Sequence, residues 1–138
     1  MWEEIEDIAP EYKFLPPLFL AGKTRSQWIE ELNTAVRARG KVSRYLYDKY
    51  LASERDQLFA VHYFATDLVQ HALWTENPDG WDPRLEIFQA VDEEIGKLIE
   101  QAPADSVFLV ISDHGFGPIT QTFHINNCLG EEGYLQLK

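Results

Sequence analysis

Val107-Phe108-Leu109-Val110-Ile111-Ser112-Asp113-His114-Gly115-Phe116-Gly117-Pro118 runs from five apolar residues into an Asp, a His and a loop broken by two glycines and a proline. A continuous apolar run of that length suits a strand covered on both faces, as in a parallel sheet. Leu58-Phe59-Ala60-Val61-His62-Tyr63-Phe64 has the same character and leads into Thr66-Asp67-Leu68-Val69-Gln70-His71. Helical patterns lie between the two runs, so the order strand, helix, strand reads as a right-handed crossover unit. The expected fold class is α/β with a mainly parallel sheet.

Working outward, residues 83–101 carry the clearest helical period, with Phe88, Val91, Ile95, Leu98 and Ile99 as its stripe. Pro83 suits the first turn of that helix. Asn77-Pro78-Asp79-Gly80 precedes it as a turn, and Pro103 to Asp105 turn into the second strand. Thr66 or Asp67 has N-cap chemistry for a short helix carrying Leu68, Val69, Ala72 and Leu73. Upstream, Thr24 and Gln27 fit a capping box for a helix over 24–38. Trp28, Ile29, Leu32 and Val36 form its apolar stripe, and Gly40 reads as its C-terminal stop. A second helix is expected over about 42–51, with Tyr45, Leu46 and Tyr50 inward. Residues 1–22, interrupted by Pro10, Pro16 and Pro17, read as irregular, with Leu15, Leu18, Phe19 and Leu20 available for packing. A last short helix fits 126–133. No repeat, low-complexity segment or linker divides the chain, so 1–138 reads as one unit. Residues 1–55 supply the irregular segment and helices, and 56–138 supply the Asp/His region.

A chain of 138 residues with 45% hydrophobic and 13% aromatic content can bury a core. The formal net charge of −11 argues against a nucleic-acid backbone partner, which needs a basic footprint. A phosphate-bearing ligand would require bound cations to reverse the sign locally. No apolar run approaches the roughly 20 residues of a membrane span. The start, Met1-Trp2-Glu3-Glu4, lacks the basic opening and apolar centre of a secretory signal. The expectation is a soluble, cytoplasmic chain. Cys128 stands alone, which excludes an intrachain disulfide and a cysteine-rich zinc knuckle; it reads as a small packed residue.

Asp67 and His71 stand i,i+4, on one face of a helical turn, where a carboxylate and an imidazole can share a cation. The plainer alternative is an N-cap Asp beside a surface His. Asp113 and His114 follow an apolar run directly, where open α/β sheets place their ligand sites. In a turn both can reach one ion. The plainer alternative there is an Asx-turn. Two Asp/His pairs, each just beyond an apolar run, point jointly to metal-assisted hydrolysis of a phosphate ester. His62 reads as a satisfied core histidine. Trp74, Trp81 and Tyr63 read as core and loop anchors or as pocket walls, and Gln70 as a hydrogen-bonding neighbour of the first pair.

Asp67-x-x-Gln70-His71 with Trp74, then Asp92 and Ile95-Gly96, then the 112–118 motif, then Asn126 and Glu132-Gly133-Tyr134-Leu135 resemble the type I phosphodiesterase/nucleotide pyrophosphatase family. That family belongs to the alkaline phosphatase superfamily. The resemblance covers 56–138 well and the preceding helices more loosely. It implies part of an alkaline-phosphatase-like α/β/α sandwich with two divalent metal ions, usually zinc, with manganese also suited to these ligands. It implies one metal on Asp67 and His71 plus a later His, and another on Asp113 and His114 plus an earlier Asp. The second metal would activate a Thr or Ser nucleophile, and the chemistry would pass through a covalent phospho-enzyme.

The family's first Asp and its nucleophile lie upstream of the matching region; Thr24 and Ser26 sit in a helix cap instead. No nucleophile is identifiable, and the family's last His falls beyond Lys138. His124 could stand in for that His, or be a polar loop residue. The chain is therefore expected to be a partial catalytic domain: a fragment, a truncated product or one piece of a split protein. The expected ligand is a small phosphate ester or nucleotide, with self-association or a complementary chain as the expected partner. Two other readings stand beside the hydrolase. One is a non-catalytic interaction remnant that keeps the metal motifs. The other is a relative resembling phosphoglycerate mutases or phosphonate hydrolases.

Overall fold

The computed structural model describes residues 1–15, 22–52, 58–74 and 82–136. Among the described residues five helices follow in order: α1 (Trp2–Ile8), α2 (Arg25–Tyr50), α3 (Ala65–Leu73), α4 (Pro83–Gln101) and α5 (Ile125–Glu131). No strand occurs among the described residues. The body is a three-helix pack in which α4 packs on α2 and α3 packs on both. The α/β sandwich with a parallel sheet is thus corrected to a helical fold.

The physical reason lies in where the two apolar runs go. A strand must satisfy its backbone laterally and cover its faces. Residues 58–63 form no regular secondary structure; Phe59, Val61 and Tyr63 are half-buried while Leu58, Ala60, His62 and Phe64 are exposed. This two-residue alternation lays one edge against the helices, with the Phe59 ring 5.7 Å from that of Tyr47. The run 107–111 forms no strand either, and every side chain in it is exposed, Leu109 at 84% and Ile111 at 87%. Neither run has the other beside it as a ladder partner.

The core is built by the stripe read from α2. Trp28, Ile29, Leu32 and Val36 meet Ala65, Val69 and Leu73 from α3 and Ile87, Ala90 and Val91 from α4. Each fully buried large side chain contributes roughly 1.5–3 kcal/mol. Thr24 caps α2 as expected: its Oγ1 accepts from the Gln27 amide at 3.2 Å, and Gln27 Oε1 accepts from the Thr24 amide at 2.9 Å. The stop at Gly40 does not occur. One helix runs through it to Tyr50, whose side chain is exposed, whereas Leu46 packs on a second cluster. That cluster joins Ile5 and Ala9 to Ala38 and Val42, so the stretch expected to be irregular begins with a short helix.

Gly40 answers to packing. A Cβ there would collide with the Glu94 carboxylate. Glu94, 2% exposed, enters the α2–α4 seam at that point. It is held by the Arg44 guanidinium and by Lys97 Nζ at 2.6 Å. The inward face of α4 is therefore Ile87, Ala90, Val91 and Glu94, and the expected Phe88 and Ile99 stay exposed. Pro83 opens α4, with Asp82 Oδ1 accepting from the Arg84 amide at 3.0 Å. Leu18, Phe19, Leu20, Trp81 and the turn at 77–80 lie outside the described residues. No helix among the described residues is long and apolar enough to cross a membrane.

Candidate metal centre

Helix α3 begins at Ala65, so Thr66 and Asp67 fall inside its first turn and neither is the N-cap. Thr66 Oγ1 instead donates to the Tyr63 carbonyl at 3.1 Å. Asp67 gains from the amide-rich helix start, which favours a carboxylate. His71 follows one turn later on the same face, its Nε2 3.4 Å from Asp67 Oδ1.

The segment after α4 brings His114 of the second pair to the first. His114 Nε2 stands 3.9 Å from the same Asp67 Oδ1 and 3.8 Å from Asp113 Oδ2. Two imidazole nitrogens thus face one carboxylate oxygen, and that oxygen is shielded from solvent and accepts no hydrogen bond. A buried acceptor left without a donor is costly unless a cation or proton serves it. Ligand atoms around a tetrahedral zinc at about 2.0–2.2 Å stand roughly 3.3 Å apart, close to the Asp67–His71 separation. The donor chemistry therefore fits a divalent cation. The set is not complete: no group of three or more His, Cys, Asp or Glu among the described residues is arranged to hold a metal. Asp113, 87% exposed, reaches only His114.

The His114 ring is fixed at its other nitrogen, Nδ1 lying 2.8 Å from the Gly115 carbonyl. That carbonyl, then the charges of Asp113 and Asp67, hold the imidazole above its ordinary pKa. Donation from Nδ1 leaves Nε2 of the neutral ring bare toward Asp67 and any cation there. Ser112 Oγ donates to the His114 carbonyl at 2.5 Å, which tightens the turn and occupies that hydroxyl.

Two residues matter that sequence reasoning passed over. Phe116 meets the His71 ring edge to face, centroids 4.8 Å apart, and lies 5.1 Å from the Trp74 ring. Arg84 sits over the Trp74 ring, its Cζ 4.8 Å from the ring centroid, and its Nη1 donates to the Trp74 carbonyl at 3.1 Å. Their signals were present: a bulky ring between Gly115 and Gly117, and an Arg two residues beyond the Asp82 cap. Trp74 is thus an anchor.

The remaining candidates lie elsewhere. Gln70 donates back to the Thr66 carbonyl at 3.0 Å, so its amide serves the helix and not the pair. His62 is exposed, its ring 5.7 Å from Phe64, and is not a core histidine. Burial, then the Glu94 charge, pushes the Tyr63 phenol up to about 12, which keeps it a neutral packing group. His124 caps α5 in an exposed position, and Cys128 is half-buried on that helix.

No curated protein and no solved structure matches the chain. A family model does match, and it extends over the first helices as well as the Asp/His region. With its model matching residues 1–138, the chain belongs to the type I phosphodiesterase/nucleotide pyrophosphatase family.

Proposed function

We propose that this chain supplies the Asp/His half-sites of a divalent-cation-dependent phosphodiesterase or nucleotide pyrophosphatase. The observation that carries the reading is the orphaned Asp67 Oδ1 facing His71 Nε2 and His114 Nε2. Asp67 and His71 would hold one cation, and Asp113 and His114 a second, each completed by further ligands or water. Such cations, zinc or manganese, would polarise the phosphoryl oxygens and stabilise the attacking and leaving oxygens. The chain's own contribution is orientation. Helix α3 fixes Asp67 and His71 one turn apart, and the Gly115 carbonyl fixes which His114 nitrogen faces inward. The substrate class is a small phosphate ester or nucleotide.

The test is zinc and manganese titration of the chain by calorimetry, with hydrolysis of bis-p-nitrophenyl phosphate measured in parallel. Uptake that is lost in Asp67→Asn supports the reading. Uptake that Asp67→Asn leaves unchanged, or none in the wild type, overturns it.

A second reading is favoured by a different observation. The exposed apolar run 107–111 suits a module that works by pairing with another chain, the Asp/His pairs being retained without turnover. Sedimentation velocity separates the two: cation-independent association with no hydrolysis favours the module.

A further inference from the structure

From Val107 to Asn127 every described side chain is exposed except Phe116, which is half-buried. The long segment that carries Asp113 and His114 therefore touches the helical body chiefly through one ring. That ring lands between His71 and Trp74, residues three apart near the end of α3. An edge-to-face pair of this kind adds directional attraction to its area burial.

The receiving surface is braced by Arg84. Arg84 Nε lies 2.8 Å and Nη2 2.7 Å from the two carboxylate oxygens of Asp82, while Nη1 takes the Trp74 carbonyl. Its guanidinium also covers the Trp74 face. All three of its nitrogens are thus occupied. Its fork ties the end of α3 to the start of α4.

We infer that Phe116 is a positioning residue: a latch that, seated on a Trp74 held by Arg84 and Asp82, brings Asp113 and His114 to Asp67 and His71. Its functional consequence rests on the cation-site reading above; the latch itself is a statement about the chain alone. Phe116 offers no donor atom to a cation and acts through the rings of His71 and Trp74. It fixes the distance between two donor pairs carried by segments that no helix joins directly.

The experiment uses the full chain as wild type, Phe116→Leu, Phe116→Tyr and Arg84→Gln. The first readout needs no metal: nuclear Overhauser contacts between the His114 ring and the Asp67 β-protons, and between rings 71 and 116. They are expected in wild type and Phe116→Tyr, lost in Phe116→Leu and weakened in Arg84→Gln. Circular dichroism is expected to be unchanged, since Phe116 is outside the buried core. The second readout is zinc affinity, expected to fall about 10-fold or more in Phe116→Leu and to stay within about twofold in Phe116→Tyr. His114–Asp67 contacts that persist in Phe116→Leu overturn the latch. If the wild type takes up no zinc, the cation reading fails, and the metal-free contacts still decide the latch.

Discussion

Glu94 of α4 is seated on Gly40 of α2, where its carboxylate occupies the space a Cβ would need. The pairing explains both a glycine in the middle of a long helix and a nearly buried acid. Gly40→Ala should therefore destabilise the fold. A helix interior gains about 1 kcal/mol from that exchange. Forcing Glu94 out of the seam costs on the order of 1–3 kcal/mol, since its end is pinned by Arg44 and Lys97. The expected net loss is about 1 kcal/mol in urea unfolding; a gain in stability contradicts the seam.

The same acid sets an acid limit. Burial pushes the Glu94 carboxyl up, but the hydrogen bonds and charges of Arg44 and Lys97 outweigh it and hold it below the usual range. A carboxyl with a depressed folded pKa stabilises the fold above its unfolded value, and that contribution fades as pH falls through the folded one. Urea midpoints should drop as pH falls below the ordinary glutamate range. Glu94→Gln should flatten the part of that slope due to this residue, at a cost of roughly 1–3 kcal/mol at neutral pH. An identical slope in Glu94→Gln would assign the acid sensitivity elsewhere.

How much of this was legible in the sequence follows from range. The α2 stripe, the Thr24–Gln27 cap and the bounds of α4 depend on residues within a few positions, and they stand as read. The Gly40 stop failed because the residue that explains the glycine, Glu94, is far away in sequence. The continuous apolar runs at 58–64 and 107–111 have a strand's composition, but among the described residues neither forms a strand and no sheet covers them. At the site, the residue types of Asp67, His71, Asp113 and His114 are readable; the structure sets His71 and His114 beside Asp67, while Asp113 reaches only its neighbour His114. The latch was not readable, since a ring between two glycines looks like any loop residue until Trp74 and His71 are beneath it.

Those exposed apolar side chains predict self-association. Leu109→Lys should lower the sedimentation-detected oligomer fraction at high concentration. Helical stability should change by less than about 0.5 kcal/mol, because Leu109 is 84% exposed. A wild-type chain that stays monomeric at high concentration contradicts this.

Asp67 should separate stability from function. Its Oδ1 receives no donor, so the carboxylate contributes little to folding that an amide could not. Asp67→Asn should unfold within about 1 kcal/mol of wild type, because the amide can donate to a neighbouring imidazole. A large loss of stability would show that the carboxylate is structural.

The most direct measurement is the zinc bound per chain after purification and dialysis, by inductively coupled plasma mass spectrometry, in wild type and Asp67→Asn. Bound zinc in the wild type that is largely lost in the variant is the expected result. Equal zinc in both proteins, or none in the wild type, contradicts a cation site built on Asp67.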